Sequence, residues 1–292
     1  MELATFTVDR KLGDHTPIVV APIGDIQWSG ERGATAKDLL KRHLDRCLEV
    51  NAWYVGLGDY IDFLSPSNRQ RLRQAALYDT AEDVVDDKAL DLAHEVYETF
   101  LKPTTGRWLG LLHGHHWAML KSGETTDQRL CQMLGARFLG TSAYIRIQFR
   151  APKSARRDNV VLWAHHGCGG GMRTGAPLNK IEDAAASFAG ADVYIMGHTT
   201  KSPVAPFERV IPRWAGHGAP DLIHKRIYFV NSGGFARGYT KGAKQGNVPM
   251  GGYVEQGMMR PAALGAPLIH IQAGRRWAGG TEMWTPTVTV EV

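Results

Sequence analysis

The sequence predicts an α/β fold, and three observations carry that prediction. Five short apolar runs recur along the chain: Ile18-Val19-Val20, Trp53-Tyr54-Val55, Trp108-Leu109-Gly110-Leu111-Leu112, Val160-Val161-Leu162-Trp163 and Val193-Tyr194-Ile195-Met196. Each soon gives way to glycine and polar residues, the pattern of strands buried on both faces. Between the first two runs, Leu39, Leu40, Leu44 and Leu48 fall at helical spacing within residues 35–50. That makes a βαβ unit with a right-handed crossover. Further on, residues 144–149 and 159–163 are two strand-like runs joined by a polar turn, the grammar of an antiparallel hairpin.

Taken in order, residues 1–16 are polar and read as a short leading strand or arm, and residues 17–27 as the first core strand with its loop. Residues 52–62 form the second strand and loop. Ser65 then suits a helix N-cap with Pro66 at the first helical position. Residues 80–101 read as a further helix, whose early Glu82, Asp83, Asp86 and Asp87 suit the positive end of its dipole. The stretch near 65–105 is thus a helical insertion able to cap one side of a site. A strand is expected at 107–112, a helix at 126–134, a helix at 177–189 and strands at 192–196 and 226–231. Residues 1–237 read as one domain. Residues 238–292, rich in Gly and Pro with strand-like pieces at 267–271 and 287–292, read as an extension packed on that domain.

The chain has 292 residues, 43% of them hydrophobic, enough for a full core. Residues 1–12 lack a basic segment followed by an apolar one, so no signal peptide is expected. No apolar stretch is long enough to span a membrane. Three cysteines, Cys47, Cys131 and Cys168, have no metal-like spacing and fit free thiols in a reducing, cytoplasmic setting. A formal net charge of +5 suits a phosphate-bearing partner.

In open α/β sheets the chemistry gathers beyond the carboxyl ends of the strands. The stretches there are Gly24-Asp25-Ile26-Gln27, Gly58-Asp59-Tyr60-Ile61-Asp62, Gly114-His115-His116-Trp117, His165-His166-Gly167 and Gly197-His198-Thr199-Thr200. Asp25, Asp59, His115, His165 and His198 are therefore expected on one rim. Carboxylates and imidazoles gathered in this way suit divalent transition metals.

In this order the five stretches resemble the motifs of the calcineurin-like metallophosphoesterase superfamily: D-x-H, G-D-x-x-D, G-N-H-D/E, a lone histidine after a strand, and G-H-x-H. The resemblance covers about residues 17–235. It implies a four-layer αββα sandwich, two facing β-sheets flanked by helices, around two divalent metal ions. The implied activity is metal-dependent phosphoesterase chemistry, foremost on nucleotide or nucleic-acid phosphodiesters. A nucleotide pyrophosphatase or phosphomonoesterase is the rival enzyme, and a metal-poor, non-catalytic binding module the rival of another class. The expected partner is a phosphate ester, with nucleic acid as one form of it, and no membrane.

By the same resemblance Asp59 bridges the ions. Asp25, Gln27 and Asp59 hold the first, and Asp59, His115, His165 and His198 the second. His116 matches the catalytic histidine, and Asp62 orients it. Four positions depart from the pattern. Gln27 and Thr200 replace histidines of the first site, leaving Thr200 as a weak hydroxyl ligand. His115 replaces an asparagine, and Trp117 an acid. The first site thereby becomes oxygen-rich, which favours Mn²⁺, with Mg²⁺, Fe or Zn²⁺ as alternatives. His166 is read as facing the substrate, with replacement of His165 as ligand the other option. Arg69 and Arg73 share a helical face and offer a phosphate contact, against the competing reading of a solvated basic face. Trp28 and Trp117 flank the metal loops as stacking surfaces for a base or as packing residues.

Overall fold

The computed structural model describes residues 1–9, 16–30, 34–75, 78–150, 157–171, 173–214, 220–245, 247–272, 275–278, 281–284 and 287–292. In chain order the strands are β1 (Glu2–Asp9), β2 (Ile18–Ile23), β3 (Trp53–Gly56), β4 (Trp108–Leu111), β5 (Ser142–Arg150), β6 (Arg157–His165), β7 (Val193–Met196), β8 (Val204–Arg213) and β9 (Asp221–Asn231). They continue with β10 (Lys244–Gln245), β11 (Val248–Pro249), β12 (Leu268–Gln272), β13 (Arg275–Ala278), β14 (Thr281–Trp284) and β15 (Thr287–Glu291). The helices are α1 (Lys37–Glu49), α2 (Pro66–Ala75), α3 (Asp79–Val96), α4 (Thr126–Leu134), α5 (Ala176–Ser187) and α6 (Tyr253–Gln256).

One sheet runs β15-β12-β2-β3-β4 and the other β1-β5-β6-β7-β9-β8. β2, β3 and β4 are parallel, as are β6, β7 and β9. Because side chains alternate across a strand, each sheet feeds two cores. Ile18, Val20, Val55 and Leu57 of the first sheet meet Ile145, Leu162, Ala164 and Ile195 of the second. On its other face the first sheet packs Ala21 and Tyr54 against Leu40 and Leu44 of α1, Leu92 and Val96 of α3, and Leu130 and Leu134 of α4. The second sheet packs Trp163, Tyr194 and Phe229 against Ile181 and Ala185 of α5. The result is the α/β/β/α order of layers, two facing sheets between helices.

Local sequence explains the element ends nearest the site. Ser65 Oγ accepts from the Asn68 N–H at 3.3 Å, with Pro66 opening α2. Thr125 and Gln128 form a capping box that starts α4, and Gly135 ends it at φ 62°. α3 is shorter than its apolar pattern: a π-helical turn, Tyr97–Leu101, takes over from Val96. Beyond residue 237, β12 pairs with β2 and with β15 inside the first sheet, so this stretch supplies two strands of the sandwich. The turn between β5 and β6 lies outside the described residues. Among the described residues, no helix is long and apolar enough to cross a membrane.

Candidate metal centre

Parallel order brings the carboxyl ends of β2, β3 and β4 to one edge, and the backbone ties their loops together. The Asp25 N–H donates to the Gly58 carbonyl at 3.0 Å and the Gln27 N–H to the Asp59 carbonyl at 2.9 Å. From the other sheet, the Gly197 N–H donates to the His166 carbonyl at 2.9 Å, and the His198 N–H to Asp25 Oδ2 at 2.8 Å. Asp25, Gln27, Asp59, His198 and Thr200 all adopt positive φ, between 49° and 73°. Only two other described non-glycine residues, Asn51 and Met258, do so. The left-handed region costs a non-glycine residue on the order of 1–3 kcal/mol, so its concentration on one rim is strain that the surrounding fold must hold in place. Gly114 is needed for a different reason: a Cβ there would lie 2.1 Å from Asp59 Oδ1.

Asp59 is 2% exposed, and its two oxygens face different partners. Oδ1 accepts from the backbone N–H groups of His115 and of His116, the latter at 2.9 Å. Oδ2 lies 3.2 Å from His166 Nε2. That contact lacks the alignment of a hydrogen bond, so Nε2 is a buried nitrogen without one. His166 Nδ1 donates to the Leu57 carbonyl at 2.6 Å, which aims Nε2 at the site. His115 Nδ1 and His198 Nδ1 face each other at 3.2 Å. Asp59, His115, His166 and His198 thus each offer one ligand atom within 4.8 Å of the others.

This donor set fits a divalent cation. Three imidazoles and a carboxylate are transition-metal ligands. Two facing imidazole nitrogens need a proton or a cation between them. Asp25 Oδ1, fully buried beside the cluster, has no hydrogen-bond partner either. A buried polar atom left so costs about 1–3 kcal/mol unless something outside the chain satisfies it.

Burial dominates the electrostatics. It pushes Asp25 up to about 7, against the charge of His166. It pushes His198 down to about 4, reinforced by His166 and His115. It lowers His115 as well. Burial opposes the charged forms of Asp59 and His166 too, but there the pairing wins: Asp59 is held below the usual carboxylate range, and His166 is raised to about 9. The cluster therefore pairs an anionic Asp59 with a cationic His166, while burial favours the neutral forms of His115 and His198, whose facing nitrogens can share a proton.

Of the two adjacent histidines expected near the metals, His166 joins the cluster and His165 does not. Val160, Leu162 and Ala164 face the space between the sheets, and His166 continues their phase. His165 follows Trp163 to the α5 side, where its ring stacks on that indole at 5.8 Å. Its Nδ1 accepts from the Gly167 N–H at 2.7 Å. The strand alternation was readable in the sequence and points to His166.

The other expected residues are distributed as follows. His116 Nδ1 lies 2.8 Å from Asp62 Oδ1, and this hydrogen bond raises the His116 pKa. Gln27 and Thr200 are part-buried, and the Thr200 methyl and Asp25 Cβ both crowd Gly234, where an added Cβ would meet them at 3.2 and 2.7 Å. Arg69 is not part of a solvated basic face: its Nη1 points at the carbonyls of Leu64, His115 and Trp117. The side chain of Arg73 lies outside the described residues. Trp28 is buried and donates to Glu95 at 2.8 Å, so it packs rather than presents a stacking face. Sequence reading missed two supports. His113 Nδ1 lies 2.9 Å from buried Asp127, behind the His115 loop. Buried Asn231 accepts from the Thr199 hydroxyl at 3.2 Å. Neither pair carries a local motif that could have revealed it.

No family model matches the chain, and no curated protein matches it. Among solved structures the chain is similar to vacuolar protein sorting 29 from Cryptosporidium parvum, at 11% identity and a TM-score of 0.31, over 95% of this chain and 100% of that one. The two-sheet architecture rests on the strand orders and cores described above.

Proposed function

We propose that the chain is a metal-dependent phosphoesterase of the calcineurin-like metallophosphoesterase superfamily, acting on phosphodiester bonds of nucleotides or nucleic acids. The carrying observation is the convergence of Asp59, His115, His166 and His198 within 4.8 Å. Those four would hold one divalent ion, and Asp25, Gln27 and the shared Asp59, helped by Thr200, a second. Mn²⁺ is the favoured ion, because the second set is rich in oxygen. When bound, such ions neutralise the phosphate and supply a hydroxide nucleophile at neutral pH.

The chain's own residues account for the remaining chemistry. Asp59 stays anionic and is fixed through one oxygen by two backbone N–H groups, and its second oxygen, beside His166 Nε2, would ligate. Asp62 holds His116 through Nδ1 and favours its protonated form, leaving Nε2–H to deliver a proton to the leaving oxygen. An alkoxide leaving group needs that proton more than a phenolate does. The test is turnover of bis-p-nitrophenyl phosphate by metal-free protein with added Mn²⁺, followed by a panel of single-stranded DNA, duplex DNA, cyclic nucleotides and ADP-ribose. Absence of turnover across the panel, with metal bound, would overturn the enzymatic reading.

One observation favours a second reading, a non-catalytic binding module. Gln27 and Thr200 bring no imidazole to the Asp25 side. On this reading the protein binds a single ion and turns nothing over, which the same assay detects.

A further inference from the structure

The loop from Gly114 to Trp117 carries His115 and His116, and its backbone is held from two sides. On the N–H side, Asp59 Oδ1 accepts from His115 and His116. On the carbonyl side, Arg69 of α2 reaches across: Nη1 lies 2.6 Å from the His115 carbonyl and 2.9 Å from that of Trp117. The same nitrogen lies 2.6 Å from the Leu64 carbonyl, which anchors the guanidinium to its own helix start. The guanidinium carbon sits 4.0 Å from the Trp117 ring centroid. That indole also stacks against His113, whose imidazole is paired with buried Asp127.

We infer that Arg69 is a positioning residue that sets the loop bearing His115 and His116, with Trp117 as its platform. The inference rests on the metal-binding reading of the cluster above. A planar, permanently charged guanidinium meets several carbonyls and an aromatic face at once; the compact ammonium of lysine does not. Trp117 then has a use in its own right: the acid expected after His116 is dispensable, since Asp62 holds the imidazole and Arg69 on Trp117 holds the backbone. The helical insertion is thereby coupled to the metal centre through one side chain. Atoms that orient ligands without touching the ion typically change metal affinity about 10–100-fold when removed.

The experiment compares wild type, Arg69→Ala, Arg69→Lys and Trp117→Leu by two readouts. In metal-free protein, amide hydrogen exchange at His115 and His116 should quicken by at least about 10-fold in Arg69→Ala. Mn²⁺ affinity should fall about 10–100-fold in Arg69→Ala, nearly as far in Arg69→Lys, and less in Trp117→Leu. Added methylguanidinium should restore part of the affinity of Arg69→Ala only. Unchanged loop exchange overturns the inference. So does faster exchange with wild-type Mn²⁺ affinity, which would leave Arg69 a purely structural brace. Wild type that takes up no Mn²⁺ would sink the metal reading, and the exchange comparison would then decide the brace alone. If Arg69→Ala does not fold, Arg69→Lys and Trp117→Leu carry the same comparison.

Discussion

The imidazole side of the cluster and the oxygen-rich side next to it differ in backbone and in chemistry. On one side, His115, His166 and His198 surround one oxygen of Asp59. On the other stand Asp25, Gln27 and Thr200. Left-handed residues come two apart in two loops, Asp25 with Gln27 and His198 with Thr200, and the second pair spans both sides. So left-handed backbone occurs at Gln27 and Thr200, which carry no imidazole. On the proposed reading, placement and ligand type are separable. On that reading the backbone aims a side chain at the rim, and the side chain would then decide how tightly an ion is held. Neutral oxygen donors hold transition metals less firmly than imidazole.

The most damaging way to break the comparison is to remove the residue both sides share. Asp59→Asn should lose bound metal and turnover together, to the uncatalysed background. Retention of either, by elemental analysis or phosphodiester assay, would separate Asp59 from the centre. Next comes His116, which belongs to neither side. His116→Ala should keep its metal and lose about 10²–10⁴-fold in turnover. The loss should be smaller for p-nitrophenyl than for alkyl leaving groups, and an equal loss would argue against proton donation. Within the imidazole side, His166→Ala should weaken Mn²⁺ binding by more than about 100-fold, whereas His165→Ala should cost less than about 10-fold. Calorimetry on the two variants would expose a reversed order.

A test that needs no substitution is the pH dependence of uptake. Metal binds only deprotonated ligands. His166 keeps its proton up to about 9 and Asp25 up to about 7. Affinity should therefore rise with pH from 6 to 9, about tenfold per unit for each proton displaced. The rise should steepen below 7, where Asp25 adds its proton to that of His166. His198, already neutral above about 4, should contribute nothing in that window. A flat profile would contradict these assignments.

Much of this arrangement was legible before any coordinates. The buried strands are uninterrupted apolar runs, and the loops after them hold the carboxylates and imidazoles. The pairing of Asp62 with His116 was implied by the family resemblance and not by any local pattern, and the two side chains do meet at 2.8 Å. His166 was legible too, but only to a reading that carried the alternation of Leu162 and Ala164 two residues further. Arg69 was not. Its role depends on carbonyls 46 and 48 residues away, and no local pattern encodes such a contact. The same holds for His113 with Asp127, and for the tail, whose β12 finds its partner in β2 across most of the chain.

The proposed centre is asymmetric, with one ion held mainly by nitrogen and one by oxygen. Its most direct test is calorimetric titration of metal-free protein with Mn²⁺, in wild type and in the double variant Gln27→His with Thr200→His. The account predicts one tight and one weaker ion in wild type, and a selective tightening of the weaker one in the double variant. Two equally tight ions in wild type, unchanged by the double substitution, would contradict it.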